Sequence, residues 1–325
     1  MKKMTFGKRQ EFTVTADQLN FSITTNSGAE PCSEVLDFYK KTLITPTDAA
    51  LFNNVPNNKG VKRIPILTTG RVTKAFGCPF VDQTFTLDAK EIKVDKMNAM
   101  IEICNEDIYE SFLVDQMASG ANNTGSPAAF FSYVWGEIAR QTRADLEYLR
   151  WYGDKLSGDA FIKLTNGYMT LIKTNIALVN TVSNYAAITA SNVIDKLYDS
   201  IADVDPKFRQ EYDKLNIFVS SNVALAFAVA ASKGNSTAYI TGDMGDMFLG
   251  KYKITEVATL EDNIILIGPK EDFVFTYDLV DENFVTVDML TTAAVPSVRY
   301  RVNMFYGFDI YNYGNIVYYG PAMVS

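Results

Sequence analysis

The stretch that decides the fold is Arg299–Ala322, RYRVNMFYGFDIYNYGNIVYYGPA, close to the end of the chain. Eight of its twenty-four residues are Phe or Tyr, and only three are charged. A solvated tail would not carry so many large rings, because each ring gains free energy when it is buried. Three glycines divide the stretch, namely Gly307, Gly314 and Gly320. We therefore predict two short strands and a tail that pack on the rest of the chain, with Phe305 and Phe308 in the core.

The composition is that of an ordinary folded protein with an acidic balance. The chain has 325 residues, of which 47% are hydrophobic and 21% charged, and its formal net charge is −8. This length suffices for one large domain or two smaller ones. The acidic balance argues against a protein that binds nucleic acid by neutralising phosphates with Lys and Arg.

Histidine is absent from the chain, so the usual general base and the commonest zinc ligand are missing. The cysteines Cys32, Cys78 and Cys104 are odd in number and form no CxxC pair, which favours buried free thiols over a zinc site or disulfides. The first residues do not resemble a secretory signal, and the longest apolar run, Val223–Ala231, is too short to span a membrane. We expect a soluble chain made in the cytoplasm.

A long amphipathic helix is predicted over residues 127–152. A Ser-Pro pair suits its start, and Gly153 suits the position just past its end. At 1.5 Å per residue the helix is roughly 39 Å long, so it is expected to lie as a strut on a sheet. Its apolar stripe supplies the predicted core residues Trp135, Ile138 and Leu146.

Three arginines on this helix, Arg140, Arg143 and Arg150, allow two interpretations. They could contact another molecule such as a nucleic acid, or they could pair with Glu137 and Glu147 on neighbouring turns of the same helix. We favour the pairing, because acidic partners are available at the right spacing.

From Val61 to Cys104 apolar and polar residues alternate, which predicts a long β-hairpin, or ribbon. A two-stranded ribbon is marginally stable alone in water, so it should lie on another surface. Four basic residues lie along the ribbon: Lys62, Arg63, Arg71 and Lys74. They either keep an exposed edge soluble or meet acidic residues of a neighbouring molecule, and both interpretations stay open.

The remainder predicts a mixture of helices and strands. A short helix is predicted at 33–42, and the apolar segment Tyr168–Val182 is predicted to be rich in strands. Further helices are predicted after Thr189 and over Val223–Ser232. Further strands are predicted around Ile217–Val219, Lys253-Ile254, Ile264–Ile267, Val274-Phe275 and Phe284–Val287.

No motif for nucleotide binding or nucleophilic catalysis is present. The glycine cluster Gly242–Met247 lacks the spacing of a phosphate-binding loop, and its two aspartates do not match a calcium loop. Adjacent acid pairs fall between predicted strands, where we interpret them as solvated turns. These pairs are Glu261-Asp262, Glu271-Asp272 and Asp281-Glu282. The sequence therefore predicts no catalytic, cofactor-binding or metal-binding residue.

Five stretches in a fixed order resemble the major capsid protein of tailed bacteriophages. Thr84–Phe112 resembles that family's extended loop where it returns into the peripheral domain. Ser126–Asp154, SPAAFFSYVWGEIARQTRADLEYLRWYGD, resembles its long spine helix. Leu215–Asn235 resembles a strand, an Asn/Ser turn and a helix of its axial domain, and Phe248–Pro269 the strands that follow. Arg299–Ala322 resembles the family's last strands, so the likeness runs from the predicted ribbon to the end of the chain.

The resemblance implies an α+β fold, the tailed-phage major capsid protein fold that encapsulins and the herpesvirus capsid floor share. It implies an N-terminal arm (1–60) and an extended β-hairpin loop (61–105). It also implies a peripheral domain with the spine helix (106–190 and 292–325) and an axial domain (191–291). Members of this family assemble into hexamers and pentamers, which form an icosahedral head shell around double-stranded DNA without any bond chemistry.

The implied partner is therefore the chain itself, on a lattice in a virion that is assembled in the host cytoplasm. A portal, a scaffold and decoration proteins are further expected partners. Packaged DNA would be bound only weakly, and no cofactor, metal or membrane is involved. Two other interpretations stay open: an encapsulin-like compartment shell, and a carboxylate-dependent hydrolase or carbohydrate-binding β-rich protein that uses its aromatic surfaces.

Overall fold

A computed structural model of the chain describes residues 10–16, 19–25, 50–56, 58, 60–69, 85–104, 128–182, 185–233, 247–278, 285–290 and 297–323. The strands in these residues are β1 (Gln10–Ala16), β2 (Leu19–Thr25), β3 (Asn53–Pro56), β4 (Val61–Thr69), β5 (Phe85–Lys93), β6 (Asp95–Cys104), β7 (Asn180–Thr181), β8 (Leu215–Ser220), β9 (Met247–Leu249), β10 (Tyr252–Val257), β11 (Ile265–Pro269), β12 (Phe273–Asp278), β13 (Val285–Leu290), β14 (Ser297–Ile310) and β15 (Val317–Tyr319). The α-helices are α1 (Ala128–Tyr152), α2 (Tyr168–Thr174), α3 (Val193–Ala202), α4 (Pro206–Gln210) and α5 (Ser221–Lys233).

Strand β14 organises a five-stranded sheet, because its 14 residues pair along both edges. One edge pairs antiparallel with β6, from Ser297 opposite Cys104 to Tyr306 opposite Asp95. The other edge pairs with β13 and then with β12, and β12 pairs in turn with β3. The C-terminal aromatic segment therefore contains two strands, as predicted, but the first of them, β14, is a long central strand and not a short one.

Gly307 does not interrupt β14, contrary to the prediction that it divides the segment. It pairs with Thr276 of β12, and the end of β5 lies against it. A Cβ atom at position 307 would collide with the carbonyl oxygen of Lys93 and would lie 3.0 Å from Cγ2 of Thr276. The residue is thus a glycine because two backbones approach each other closely at this point.

Side chains along β14 alternate between the core and the opposite face, as they do in any strand. The even-numbered residues from Tyr300 to Ile310 are buried, and Phe308 is only 6% exposed. Phe305 has the opposite parity and is partly exposed, with Nζ of Lys96 5.5 Å from its ring centroid. The prediction that Phe305 lies in the core is therefore wrong, whereas Phe308 is a core residue.

A second sheet has six strands in the order β7-β15-β11-β8-β10-β9. Neighbouring strands are antiparallel except for the pairs β7–β15 and β8–β10. Its central strands are buried on both faces: Ile217 and Val219 of β8 belong to one hydrophobic core, and Phe218 belongs to the other. The six-stranded sheet therefore separates two cores, which explains the continuous apolar runs of these strands.

The first core joins the long helix α1 to both large sheets. Ile138 and Leu146 of α1 pack in the same cluster as the buried face of β14, while the side chain of Trp135 lies outside the described part of the structure. At the centre, rings stack or meet edge to face with centroids 5.3 to 6.4 Å apart. These rings belong to Phe52, Trp151, Tyr168, Phe218 and Phe273.

The second core lies on the other face of the six-stranded sheet, beneath α3 and α5. Val193, Leu197 and Ile201 are buried at helical spacing along α3, as the sequence predicts. Val223 and Phe227 of α5 complete the contact with the sheet. Helix α5 connects β8 to the parallel strand β10 by way of β9, so this half of the chain is a helix-covered sheet.

The segment Tyr168–Val182 is mostly helical, so the prediction of strands is wrong. It contains α2, the 3-10 helix Ile176–Leu178 and the two-residue strand β7. In α2 the buried residues are Tyr168, Met169 and Ile172, and the last two lie one and four positions after the first, which is helical spacing.

The ribbon consists of β4 and β5 only, because β6 turns away from them and pairs with β14. This corrects the predicted hairpin of Val61–Cys104. The ribbon tip at 70–84 and the predicted helix at 33–42 lie outside the described residues, as do Cys32 and Cys78. In the arm, β1 and β2 form an antiparallel hairpin, and β1 lies next to α1.

Gly307→Ala should destabilise the fold, because the added methyl group collides with the backbone of Lys93. We expect the free energy of unfolding to fall by about 1–3 kcal/mol. Gly136→Ala is the control: an added Cβ at this position in α1 has no neighbour within 4 Å, so the better helix propensity of Ala should stabilise by about 1 kcal/mol. Thermal unfolding measures both effects, and a Gly307→Ala variant as stable as the parent would contradict the close approach.

Phe308→Ala and Phe305→Ala test the alternation of β14 as a matched pair. Loss of the buried ring of Phe308 should lower the free energy of unfolding by about 3–5 kcal/mol. Loss of the half-exposed ring of Phe305 should cost about 1 kcal/mol or less. Denaturant unfolding measures both variants. An equal loss of unfolding free energy in the two would contradict the assignment of Phe305 and Phe308 to opposite faces of β14.

Candidate functional site

The described residues contain none of the chemical centres that the sequence left open. No group of three or more metal-ligating side chains comes together among them. The acid pair at 261–262 is exposed, and the pair at 271–272 places only Asp272 in the interior. The pair at 281–282 lies outside the described residues, as do 242–246. Within the same described part, no helix is both long and apolar enough to cross a membrane.

Asp272 is buried where β12 begins, and it holds the chain that follows β14. Its Oδ2 accepts a hydrogen bond from Nδ2 of Asn315 at 2.8 Å, and its carbonyl oxygen accepts one from the N–H of Tyr311 at 2.8 Å. Burial raises the pKa of the Asp272 carboxyl to about 6, although hydrogen bonds from Asn315 and the backbone of Asn312 and the charge of Lys90 oppose the shift. Through these two hydrogen bonds Asp272 ties together two segments of the fold.

A cavity of about 170 Å³ lies where α1 meets the two large sheets. Phe52 and Phe275 form part of its aromatic floor, and Arg143, Glu147 and Glu256 form part of its charged mouth. The aromatic floor belongs to the first hydrophobic core, so the cavity is a gap in the packing between helix and sheets.

Arg150 lies at this cavity but away from the surface, because its residue is only 8% exposed. Its guanidinium carbon is 4.7 Å from the ring centroid of Phe52 and 5.4 Å from that of Phe275. Cation–π contacts of this desolvated kind stabilise by about 2 kcal/mol. Arg150 follows buried Leu146 by one helical turn and therefore shares its buried face, unlike Arg140 and Arg143. A role of Arg150 in assembly stays a prediction.

The other two arginines of α1 are exposed. Arg140 pairs with Glu137 one turn earlier, at 2.5 Å between Nη2 and Oε1, and this hydrogen bond lowers the pKa of the Glu137 carboxyl. Arg143 lies at the mouth of the cavity. The intrahelical interpretation therefore describes Arg140, and a contact of Arg140 or Arg143 with another molecule stays a prediction.

The ribbon carries basic residues on its surface. Arg63 and Glu91 are directly opposite in the ladder, and their side chains pair at 2.7 Å between Nη2 and Oε1. Lys62 is exposed beside them, whereas Arg71 and Lys74 lie outside the described residues. A role of these four residues in assembly stays a prediction.

At the base of the ribbon, hydrogen bonds join the chain segments that enter and leave it. Ile92 is fully buried, and its carbonyl oxygen accepts a hydrogen bond from Nδ2 of Asn58 at 3.4 Å. The N–H of Val94 donates to the carbonyl oxygen of Gly60 at 3.0 Å. These contacts fix the two ends of the ribbon beside each other.

Farther along, side chains hold the ribbon to β14 and to the chain that follows it. Lys90 forms an ion pair with Asp309 at 2.9 Å, and the hydroxyl of Tyr311 donates to the carbonyl oxygen of Pro65 at 3.1 Å. The sequence analysis missed Lys90 and Asp309. No local pattern could have paired them, because about two-thirds of the chain separates them.

Asp272→Asn tests the buried carboxyl through the pH dependence of stability. The pKa of Asp272 is about 6 in the folded chain against an ordinary value of 3.8, so its ionisation opposes folding increasingly as the pH rises from about 4 to above 6. Between pH 4.5 and 7.5 the free energy of unfolding should therefore shift in favour of the variant by about 2 kcal/mol.

Denaturant unfolding at both pH values measures this shift. Glu261→Gln, which removes an exposed carboxylate, is the control and should keep the difference from the parent constant. A constant difference for Asp272→Asn as well would contradict the raised pKa.

The chain matches no protein-family model and no curated protein. Solved structures do match it, at probability 1.00 and low sequence identity. A chain of the satellite phage P4 procapsid including the size determination (Sid) protein is 12% identical, with a TM-score of 0.54 over 88% of this chain and 98% of that one. A chain of Gordonia phage Cozz is 15% identical, with a TM-score of 0.56 over 84% and 85%.

A chain from the capsid of the empty GTA particle is 15% identical, with a TM-score of 0.52 over 91% of this chain and 93% of that one. All three alignments extend over more than four-fifths of both chains. The chain therefore has the major capsid protein fold of the tailed phages, an α+β fold, as its order of ribbon, long helix and sheets predicts.

Proposed function

We propose that this chain is the major capsid protein of a tailed bacteriophage, and that copies of it form the icosahedral head shell around a double-stranded DNA genome. The single observation that carries the proposal is the likeness to capsid chains over 84% to 91% of this chain. The role is structural and needs no catalytic residue, which agrees with a sequence that contains no histidine and no catalytic motif.

The ribbon supports a role that involves several copies. Its strands pair with each other along nine rungs, from Val61–Lys93 to Thr69–Phe85, and the body holds the lower rungs. A two-stranded ribbon is marginal in water unless another surface covers it. In the proposed lattice the upper part of the ribbon lies across a neighbouring copy of the chain.

The proposed lattice consists of hexamers and pentamers, in which the parts of the chain have separate tasks. Residues 191–291 form the axial domain near the symmetry axes, and residues 106–190 with 292–325 form the peripheral domain. Residues 61–105 and 1–60 supply the extended loop and the arm. Strands β12 and β13 pair with β14 across the 291/292 boundary, so the two proposed domains share a sheet.

Exposed apolar side chains are candidate contacts between copies. Leu156 is 94% exposed at the end of the long helix, and Leu225 of α5 and Met100 of β6 are more than half exposed. Each contact is small, but a closed ring repeats it around its axis. Multivalency then makes the shell far more stable than one pairwise contact.

The net charge of −8 fits an inner surface that holds DNA weakly, so that the genome can move while it is packaged. A portal, a scaffold and decoration proteins complete the proposed set of partners. Tight and salt-sensitive binding of duplex DNA by the purified chain would contradict this part of the proposal.

Electron microscopy of the purified chain tests the proposal together with the role of the ribbon. We expect rings, sheets or shells of megadalton mass, and DNA rather than a cargo enzyme in shells from infected cells. A variant in which Asn-Gly replaces residues 70–84 closes the hairpin with a two-residue turn. It should keep the parent melting temperature and remain a small species, because the ribbon no longer reaches a neighbour.

A variant with residues 70–84 in scrambled order is the matched control, because it keeps their number and composition. Normal shells from the shortened variant would contradict the role of the ribbon. A parent chain that stays a small oligomer at high concentration, or shells filled with an enzyme, would contradict the phage capsid itself.

A further inference from the structure

Lys90 holds the ribbon to the body through three partners of different kinds. Its Nζ pairs with Oδ1 of Asp309 at 2.9 Å, donates a hydrogen bond to the carbonyl oxygen of Ile310 and lies 4.9 Å from the ring centroid of Tyr313. The charged side chains of Lys90 and Asp309 are only 21% and 18% exposed. Removing one partner by mutation leaves the other charge poorly hydrated and uncompensated, which is costly in this position.

The Lys90–Asp309 pair connects strand β5 of the ribbon to the outer face of β14. Asp309 is on the odd-numbered face of β14, which points away from the core, and Gly307 is on the same face two residues earlier. Strand β5 passes over this face with Lys93 at Gly307 and Lys90 at Asp309. The ribbon therefore lies against β14 at two points, one made by backbone and one by side chains.

The pair also marks the place where the ribbon leaves the body. Lys90 is opposite Ile64 in the ladder, and the next rung toward the tip, Pro65–Ala89, receives the hydrogen bond from Tyr311. The strands then continue for four more rungs up to Thr69–Phe85. Because the ribbon is held at its base and again just before it leaves the body, its direction is fixed.

We propose that Lys90 and Asp309 form a latch that sets the direction in which the ribbon leaves the body. When the pair is closed, the ribbon lies against β14. When it is open, the ribbon pivots about the buried rung at Ile92, and both charges regain water. The ribbon direction decides which surface of a second copy it reaches, and this last step rests on the proposed function.

The latch is tested by distances between spin labels on the unassembled, full-length chain. The three cysteines are replaced by Ser, and labels are attached at Thr68→Cys on the ribbon and Leu156→Cys on the exposed turn after α1. Thr68 is roughly 20 Å from the pivot along the strand, so a pivot of about 15° moves this label by about 5 Å. Pulsed dipolar spectroscopy resolves such a change.

We expect a narrow distance distribution in the parent chain. Lys90→Met, which keeps most of the side-chain volume, and Asp309→Asn, which keeps its shape, should each shift or broaden it by about 5 Å or more. Arg63→Gln is the control, because the Arg63–Glu91 pair lies within the same ribbon and is 73% and 42% exposed. This variant should keep the parent distribution.

Unchanged distances in either Lys90→Met or Asp309→Asn would overturn the latch, as would an equal change in Arg63→Gln. Melting temperatures identify a variant that unfolds, and the isosteric Asp309→Asn then decides the question. The measurement does not depend on assembly: a parent chain that forms no shells would overturn the proposed function and leave the distances valid.

Discussion

The fold depends on one strand that has partners on every side. β14 needs a strand along each edge, because its backbone groups are buried and must form hydrogen bonds. β6 supplies one edge, and β12 and β13 divide the other. Its inner face packs in one core with apolar residues of α1, and the base of the ribbon lies on its outer face. Segments from three distant parts of the sequence are thereby fixed relative to one another.

The six-stranded sheet lies between the two cores and contributes side chains to both. Side chains of β8 alternate between the cores, so a shift of this strand by one residue would exchange them. Phe218 enters the first core and stacks with Phe52, whose other neighbours include the guanidinium of Arg150. The one buried arginine described on α1 therefore packs in an aromatic cluster, with its guanidinium over the rings of Phe52 and Phe275.

Elements with strong periodicity could be predicted from the sequence, because burial on one face leaves a regular pattern. The long helix, α3, β8 and the aromatic C-terminal strands all belong to this group. Phe305 was assigned to the core on its hydrophobicity, which does not decide the face that a strand residue occupies. It lies three residues before Phe308 on the same strand, so the two side chains point to opposite faces. Tyr168–Val182 was misassigned because a short apolar run does not separate helix from strand. Lys90 and Asp309 could not be paired, because contacts between distant segments leave no local signal.

The division between body and ribbon explains why the fold suits assembly. The body has a core of its own, in which many aromatic residues are buried between a helix and two sheets. The two strands of the ribbon pair with each other along nine rungs, and such a two-stranded ribbon is marginally stable in water unless another surface covers it. In the proposed lattice, the further favourable contacts of the ribbon lie between copies. Because β14 carries both the core and the attachment of the ribbon, we infer that in the proposed lattice the same strand also sets the angle at which the ribbon reaches the next copy.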